Sequence, residues 1–438
     1  MTAESPLKPR GREIVWVFVV ALVLRVAAIF VLHAPEKVAD GPWEFGFEAA
    51  CIAQSVHDGN GFAAQWQRPE PPWREPSSAT GWLAPGYPAL VALAMQLTGG
   101  LTESAALFVL CVQSLLSALT CVFLWKLGLE MRVERAGRLA AWILALLPVA
   151  IWNSASVVWD TTIVAFGIVV VLWAAFALRS RGLFTHAVCG VGFGALLLVN
   201  PAPLVLTPLL AWIAWHERKS GATFLLKSAA FATTAFLVVL PWLLRNEREV
   251  GVFALRTNLG VELDVGNNDE ANGRFQLTRH PSNSAADFMR YRDIGEAAYT
   301  HESMERATAW ISAHKLRFAE LTLLRGTFFW FGVNPVADTR VDNSGRVARS
   351  DLKSWIKYLA FIATGVFGLL GAIVWGLRHF EGRVFLGVFA LFPLVYYATH
   401  ALERYRFPIE PLLVLSLAWL VCELRARSSG AVRYPGRA

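Results

Sequence analysis

The chain has 438 residues, of which 55% are hydrophobic and only 17% charged, with 18 Trp and 28 Phe. That balance excludes soluble, disordered, collagenous and disulfide-stapled secreted classes and leaves an integral membrane protein. The net charge of +7 would suggest nucleic acid in a soluble chain, so the placement of the basic residues decides its meaning.

An apolar helix crosses the hydrocarbon core with about 20 residues, and on that criterion the sequence predicts about ten spans. In chain order they are residues 14–33, 104–126, 138–157, 161–178, 184–200, 202–216, 222–244, 355–377, 383–400 and 409–425. The first span is too long, and too lightly flanked by small residues, for a cleavable signal. Between the first two spans the stretch Tyr87 to Thr98 is too short to cross. It reads as a re-entrant or interfacial helix that returns to the outer face. The predicted fold is an all-α polytopic membrane protein with a small, mainly helical extracytoplasmic cap. Its parts are a cytoplasmic tail (1–13), a catalytic transmembrane module (14–244) holding the first outer loop (34–103), a cap segment (245–354), C-terminal transmembrane helices (355–425) and a second cytoplasmic tail (426–438).

With the amino terminus inside, Lys8, Arg10 and Arg12 are cytoplasmic. So are the short connections carrying Lys126, Arg132, Arg135, Arg138, Arg179, Arg181, Arg218, Lys219, Arg378 and Arg383, and the Arg-rich carboxyl tail. The first long loop lies opposite, with Glu36, Asp40, Glu44, Glu48, Asp58, Glu70, Glu75 and Glu103 outnumbering Lys37, Arg68 and Arg74. Basicity therefore reports topology in a plasma (inner) membrane, and nucleic acid is not an expected partner. Of the five cysteines, Cys111, Cys121, Cys189 and Cys422 sit in apolar runs and Cys51 stands alone; neither a disulfide nor a thiolate metal site is expected.

The outer segments carry the polar chemistry. Residues 44–58 have apolar Phe45, Ala49, Ile52, Ala53 and Val56 at helical spacing, with Glu44 and Glu48 one turn apart on the other face. Like charges so placed oppose a helix by roughly 0.2–0.5 kcal/mol unless a cation, a proton or an arginine intervenes. The plain reading is a solvated acidic face; the functional one is a site. Asp160, between two spans, reads either as a helix cap or as a partner facing the first loop. Arg245 and the Arg404-Tyr405-Arg406 run lie at span ends, as interfacial anchors or as ligands of a lipid phosphate. Arg25, inside the first span, either snorkels or pairs structurally, or holds an anionic headgroup. His57 and His280 lack metal-ligand spacing and read as structural or solvated. No phosphate-binding loop, HExxH, GxSxG or CxxC motif is present.

Taken together, FGFEAACIAQSVHDGNGF, ATGWLAPGYP, LPVAIWNSASVVWDTT, PWLLRNEREVGVFALRTNLGVELDVGNN and ERYRFPIEP resemble, in order and spacing, bacterial members of the GT-C class of membrane glycosyltransferases. This is the group related to protein O-mannosyltransferases and the lipid A aminoarabinose transferase. The resemblance implies transfer of a hexosyl or pentosyl unit from a polyprenyl-phosphate-linked donor to a hydroxyl of a lipid, glycan or protein acceptor, at the outer face of the bilayer. It also implies Glu48 as catalytic base, Asp160 as the second acidic position with Glu44 nearby, and Trp82, Tyr87 and Asp40 in the substrate loop. Arg245, Arg404, Arg406 and Arg25 would meet the donor phosphate or its lipid. No cofactor is required by the residues themselves, the leaving phosphate being met either by arginines or by a divalent cation, Mg or Mn, held by Glu48 and Asp160. The chain departs from relatives in spreading Asp40, Glu44 and Glu48 apart and in reading Ala84-Pro85-Gly86-Tyr87-Pro88 where others carry a lysine. The chemistry stands on the residues too, because a hydroxyl nucleophile needs a carboxylate to take its proton and a leaving phosphate needs positive charge. The long outer segment and the Pro-rich loop RPEPPWREPSS are expected to cover the site and select the acceptor. A lipid-linked sugar flippase, or a non-catalytic envelope-assembly subunit of the same fold, is the competing reading; a transporter would place ionisable residues near the midplane.

Overall fold

A computed structural model describes residues 11–41, 43–64, 78–216, 218, 220–276, 279–333 and 352–428. Residues 68–77 of the Pro-rich loop and most of both expected tails lie outside the described residues. The chain is built almost wholly of helices: α1 (Gly11–Val31), α2 (Ala34–Ala39), α3 (Glu48–His57), α4 (Gly86–Thr98), α5 (Glu103–Glu130), α6 (Glu134–Leu146), α7 (Pro148–Ser156), α8 (Thr161–Ala177), α9 (Leu183–Val199), α10 (Thr207–His216) and α11 (Gly221–Val250). There follow α12 (Leu259–Gly266), α13 (Ala285–Ile294), α14 (Glu296–Ala313), α15 (Lys315–Phe331), α16 (Leu352–Gly376), α17 (Phe380–Leu391), α18 (Leu394–Ala398) and α19 (Glu410–Ser428). A two-residue antiparallel ladder pairs β1 (Ala63–Ala64) with β2 (Ser78–Ala79) and closes the first long loop at its base.

Six helical stretches are long and apolar enough to cross a membrane: Gly11–Val31, Glu103–Glu130, Gly221–Val250, Ser354–Gly376, Phe380–Ala398 and Glu403–Ser428. The predicted span 138–157 is broken instead into α6 and α7, bent by 53°. The cause is Pro148, which has no amide hydrogen to give and whose ring collides with the preceding turn. Counted as one crossing, the pair brings the total to seven among the described residues. The predicted spans 161–178, 184–200 and 202–216 are helical but shorter, at Thr161–Ala177, Leu183–Val199 and Ala202–His216, and do not reach the about 20 residues of a full crossing. The expectation of about ten spans therefore exceeds what length and composition support in the folded chain.

Packing follows the apolar faces. The largest core joins α5, α6, α8, α16, α17 and α19 through residues such as Trp125, Leu144, Ile168, Trp375, Phe385 and Leu413. A second joins α1, α3, α4 and α5 through Ile29, Ala53, Val91, Met95 and Leu110. Thr102 caps α5 by accepting from the Ala105 amide, and Ser220 caps α11 by accepting from the Thr223 amide, the usual use of a hydroxyl at a helix start. α4 has the predicted extent and ends on Gly99 in the left-handed conformation, φ 84°. Between α11 and α16, α12 packs along α14 and α13 folds back on α14.

Candidate functional site

Two close backbone approaches assemble a polar chamber from distant segments. Gly46 has φ +81°, and a Cβ there would run into the Val158 carbonyl, so only glycine lets the start of α3 lie against the α7–α8 turn. Glu48 follows two residues after Gly46, and Asp160 two residues after Val158. Gly266, at the end of α12, abuts the Thr399 carbonyl in the same way, which brings Glu262 beside His400.

Glu48 opens α3 with its side chain 14% exposed. Its Oε1 accepts from Trp82 Nε1 at 2.6 Å and lies 3.5 Å from His280 Nε2. The His280 Nδ1 accepts from the Ser282 amide at 3.1 Å, which leaves Nε2 to carry a proton toward Glu48. Burial alone would raise the Glu48 pKa. The bond and charge of His280, the charge of Arg256 and the Trp82 bond outweigh it and hold the carboxyl below its ordinary value. Glu48 is thus ionised at neutral pH and placed to accept a proton.

Asp160 stands before α8 but makes no side-chain cap bond. Its Oδ2 accepts instead from Asn200 Nδ2 at 2.7 Å. Burial raises its pKa, against the Asn200 bond and the charges of Arg256 and Arg404, while the Glu48 charge adds to the rise. Asp160, Glu48, Arg256 and Arg404 therefore share one electrostatic neighbourhood. Arg256 donates Nε to the Trp82 carbonyl at 3.3 Å, and Arg404 lies 3.6 Å over the Trp159 ring. Both are half-buried, and neither forms an ion pair among the described residues.

Several residues of the chamber escaped sequence reasoning. Glu262 accepts from Asn258 Nδ2 at 2.8 Å and lies 3.6 Å from His400 Nδ1, while His400 Nε2 is 2.8 Å from the Tyr405 hydroxyl. Burial and the Glu48 charge raise Glu262 to about 7, and burial with the charges of Arg404 and Arg325 lowers His400 to about 3. Glu262 and Arg256 lie within the quoted segment RTNLGVELDVGNN. His280 reads in the sequence as structural or solvated, yet it is buried against Glu48.

The structure brings Glu48, Asp160, Trp82 and Arg404 together, with Tyr87 close enough to feel the Asp160 charge, but not the other expected site residues. Glu44 is exposed in the turn before α3, because Gly46 at φ 81° and Phe47 at φ 27° end any helix that could join it to Glu48. Asp40 is the exposed C-cap of α2. The buried Tyr87 hydroxyl donates to Gln113 Oε1 at 2.9 Å, and Gln113 donates to the Val157 carbonyl at 2.8 Å, which fixes the turn leading to Asp160. Arg25 is saturated by Ser117 Oγ and the carbonyls of Ala21, Ala145 and Leu144 at 2.8–3.1 Å, far into the helix packing. Arg406 is fully buried, paired with Glu410 at 2.8 Å and bonded to the Trp330 and Phe361 carbonyls and the Thr364 hydroxyl. Arg245 donates to the Thr80 and Phe62 carbonyls and ties down the first loop.

Among the described residues no group of three or more His, Cys, Asp or Glu side chains is placed to hold a metal ion. Glu48 is already engaged by Trp82 and His280, Asp160 by Asn200, and two guanidinium groups supply the local positive charge. That donor set does not fit Mg or Mn, and no step below runs through a cation.

No family model matches the chain, and no curated protein does. Solved structures do match. The archaeal oligosaccharyltransferase AglB from Archaeoglobus fulgidus, in complex with an inhibitory peptide and a dolichol-phosphate, superposes with a TM-score of 0.52 at 15% identity over 97% of this chain and 52% of its own. The same enzyme tethered to an acceptor peptide gives 0.52 at 14% identity, over 95% and 50%. Its complex with Zn and sulfate gives 0.50 at 16%, over 95% and 50%. The likeness is one of fold: the chain shares the helical membrane architecture of these oligosaccharyltransferase structures and spans about half the length of the chains it matches.

Proposed function

We propose that the chain is an integral membrane glycosyltransferase that moves a sugar from a polyprenyl-phosphate carrier to an acceptor hydroxyl at the extracytoplasmic face of the plasma membrane. The observation that carries this reading is the convergence of an ionised, half-buried Glu48 with Asp160 and two arginines that form no ion pair among the described residues. In this reading Glu48 removes the acceptor's proton as its oxygen attacks the anomeric carbon, a service worth about 10²–10⁴-fold in rate. Arg256 and Arg404 receive the charge that builds on the departing phosphate, in a chamber where low hydration makes each contact stronger than in water. Asp160 orients the acceptor or the sugar, held by Asn200. The fold shared with an enzyme solved with an inhibitory peptide and a dolichol-phosphate supports a lipid phosphate as the donor's carrier. The test is consumption of a lipid-linked sugar by membranes carrying wild type, Glu48→Gln or Asp160→Asn. Turnover of Glu48→Gln at the wild-type rate would remove Glu48 as the base.

A further inference from the structure

The general-base reading leaves one buried titratable cluster without work, on the side of the chamber opposite Glu48. Two Glu–His pairs face each other across Phe275, whose ring lies 6.5 Å from His280 and 4.8 Å from His400. Both histidines are buried, at 3% and 2% exposure. In the first pair every polar atom of the ring is accounted for: Ser282 holds Nδ1, and Nε2 faces Glu48. The second pair is built differently. His400 Nε2 meets the Tyr405 hydroxyl, whereas Nδ1 is buried with no hydrogen bond, 3.6 Å from Glu262 Oε2. A neutral imidazole with Nδ1 beside a carboxyl needs one proton between the two, and in the tautomer whose Nε2–H donates to the Tyr405 hydroxyl it is Glu262 that carries it. The charged groups that act on Glu262 are Glu48, Arg256 and Arg404. On the α14 side, Arg306 and Arg279 are both tied to Asp264, a cluster that keeps a net charge of +1.

We propose that Glu262 is the proton donor to the leaving phosphate oxygen, with His400 and Tyr405 holding its proton in place. The role rests on the transferase reading above. As the acceptor oxygen bonds to the anomeric carbon, its proton passes to a Glu48 oxygen. The bond from that carbon to the bridging phosphate oxygen breaks, the electron pair stays on that oxygen, and the Glu262 proton joins it. The lipid phosphate departs as a monoanion, Glu48 is left protonated and Glu262 ionised, and one proton released to water by Glu48 and one taken up by Glu262 restore the start. An alkyl phosphate dianion takes up a proton to become the monoanion near pH 6, so a carboxyl near 7 is matched to this transfer. Two carboxyls in one chamber whose surroundings push their pKa values apart is the arrangement that divides base from acid.

Difference infrared spectra of the purified full-length protein test the proton without any substrate. Wild type should show a protonated-carboxyl band that disappears as pH rises through about 7. Glu262→Gln should abolish it, and Glu48→Gln should move its midpoint to lower pH, because the like charge that raises it is gone. In membranes fed a lipid-linked sugar, wild-type turnover should fall on the alkaline side through the same pH. Glu262→Gln should be slower by about 10²-fold with that limb flattened, and Glu262→Asp should keep the limb at a reduced rate. A band untouched by Glu262→Gln, or wild-type turnover and an intact alkaline limb in Glu262→Gln, overturns the role. Turnover in wild type without the band overturns this role alone. No turnover in wild type overturns the transferase reading and this role with it, even where the band is found.

Discussion

Arg404 and Arg406 stand two residues apart, yet they belong to different regions of the molecule. Arg406 points into the helix packing, 0% exposed, where Glu410, two carbonyls and a hydroxyl take up its guanidinium. Arg404 turns into the chamber, lies on Trp159 and keeps its charge for whatever enters. The same contrast separates Arg25 and Arg325, each consumed by backbone carbonyls, from Arg256. In an apolar bundle a saturated guanidinium is a brace, and an arginine beside acids but not paired with them is a binding group. Sequence position at a span end does not separate the two; the partners do.

Removing a brace should break the comparison most visibly. Arg406→Ala leaves Glu410 buried and unpaired, a change that costs about 3–5 kcal/mol, so loss of thermal stability in detergent is expected, with activity lost alongside the fold. Glu48→Gln should do the reverse: the melting temperature stays close to wild type while turnover falls about 10³-fold, or about 4 kcal/mol of barrier. Arg404→Ala should leave melting unchanged and weaken binding of a polyprenyl-phosphate probe by about 1.5–3 kcal/mol, the value of a hydrogen bond to a charged group. Equal stability losses in Arg404→Ala and Arg406→Ala would erase the distinction.

The sequence reading reached the helical membrane class and the short helix after Pro85, because hydropathy is a local property. It failed where geometry depends on contacts far apart in the chain. Glu44 and Glu48 share helical spacing, but Gly46 and Phe47 at positive φ put Glu44 outside α3. Glu262 reads as one polar residue of a loop and His400 as the end of an apolar run. Only the approach of Gly266 to Thr399 makes them a pair. Arg406 reads like Arg404 until Glu410, one turn further on, is seen to be buried with it. Among the described residues length and composition support fewer spans than the ten expected, because a hydropathy window does not register a break at Pro148 or the short extents of α8, α9 and α10.

The smallest expected effect sharpens the line between holding a charge and using it. Trp82 is fully buried, and its indole hydrogen bond is among the forces that keep Glu48 below the ordinary carboxyl range. Trp82→Phe keeps most of the apolar volume and removes that bond, so the Glu48 pKa rises and the acid limb of the rate profile moves to higher pH. A carboxyl depressed in the folded state adds stability above its unfolded pKa and loses it as pH falls through the folded value. The variant should therefore give up a small part of its stability at neutral pH, about 1 kcal/mol, and less in acid, where Glu48 is protonated in both proteins. An acid limb that stays in place in Trp82→Phe would mean that His280 and Arg256 alone keep Glu48 ionised.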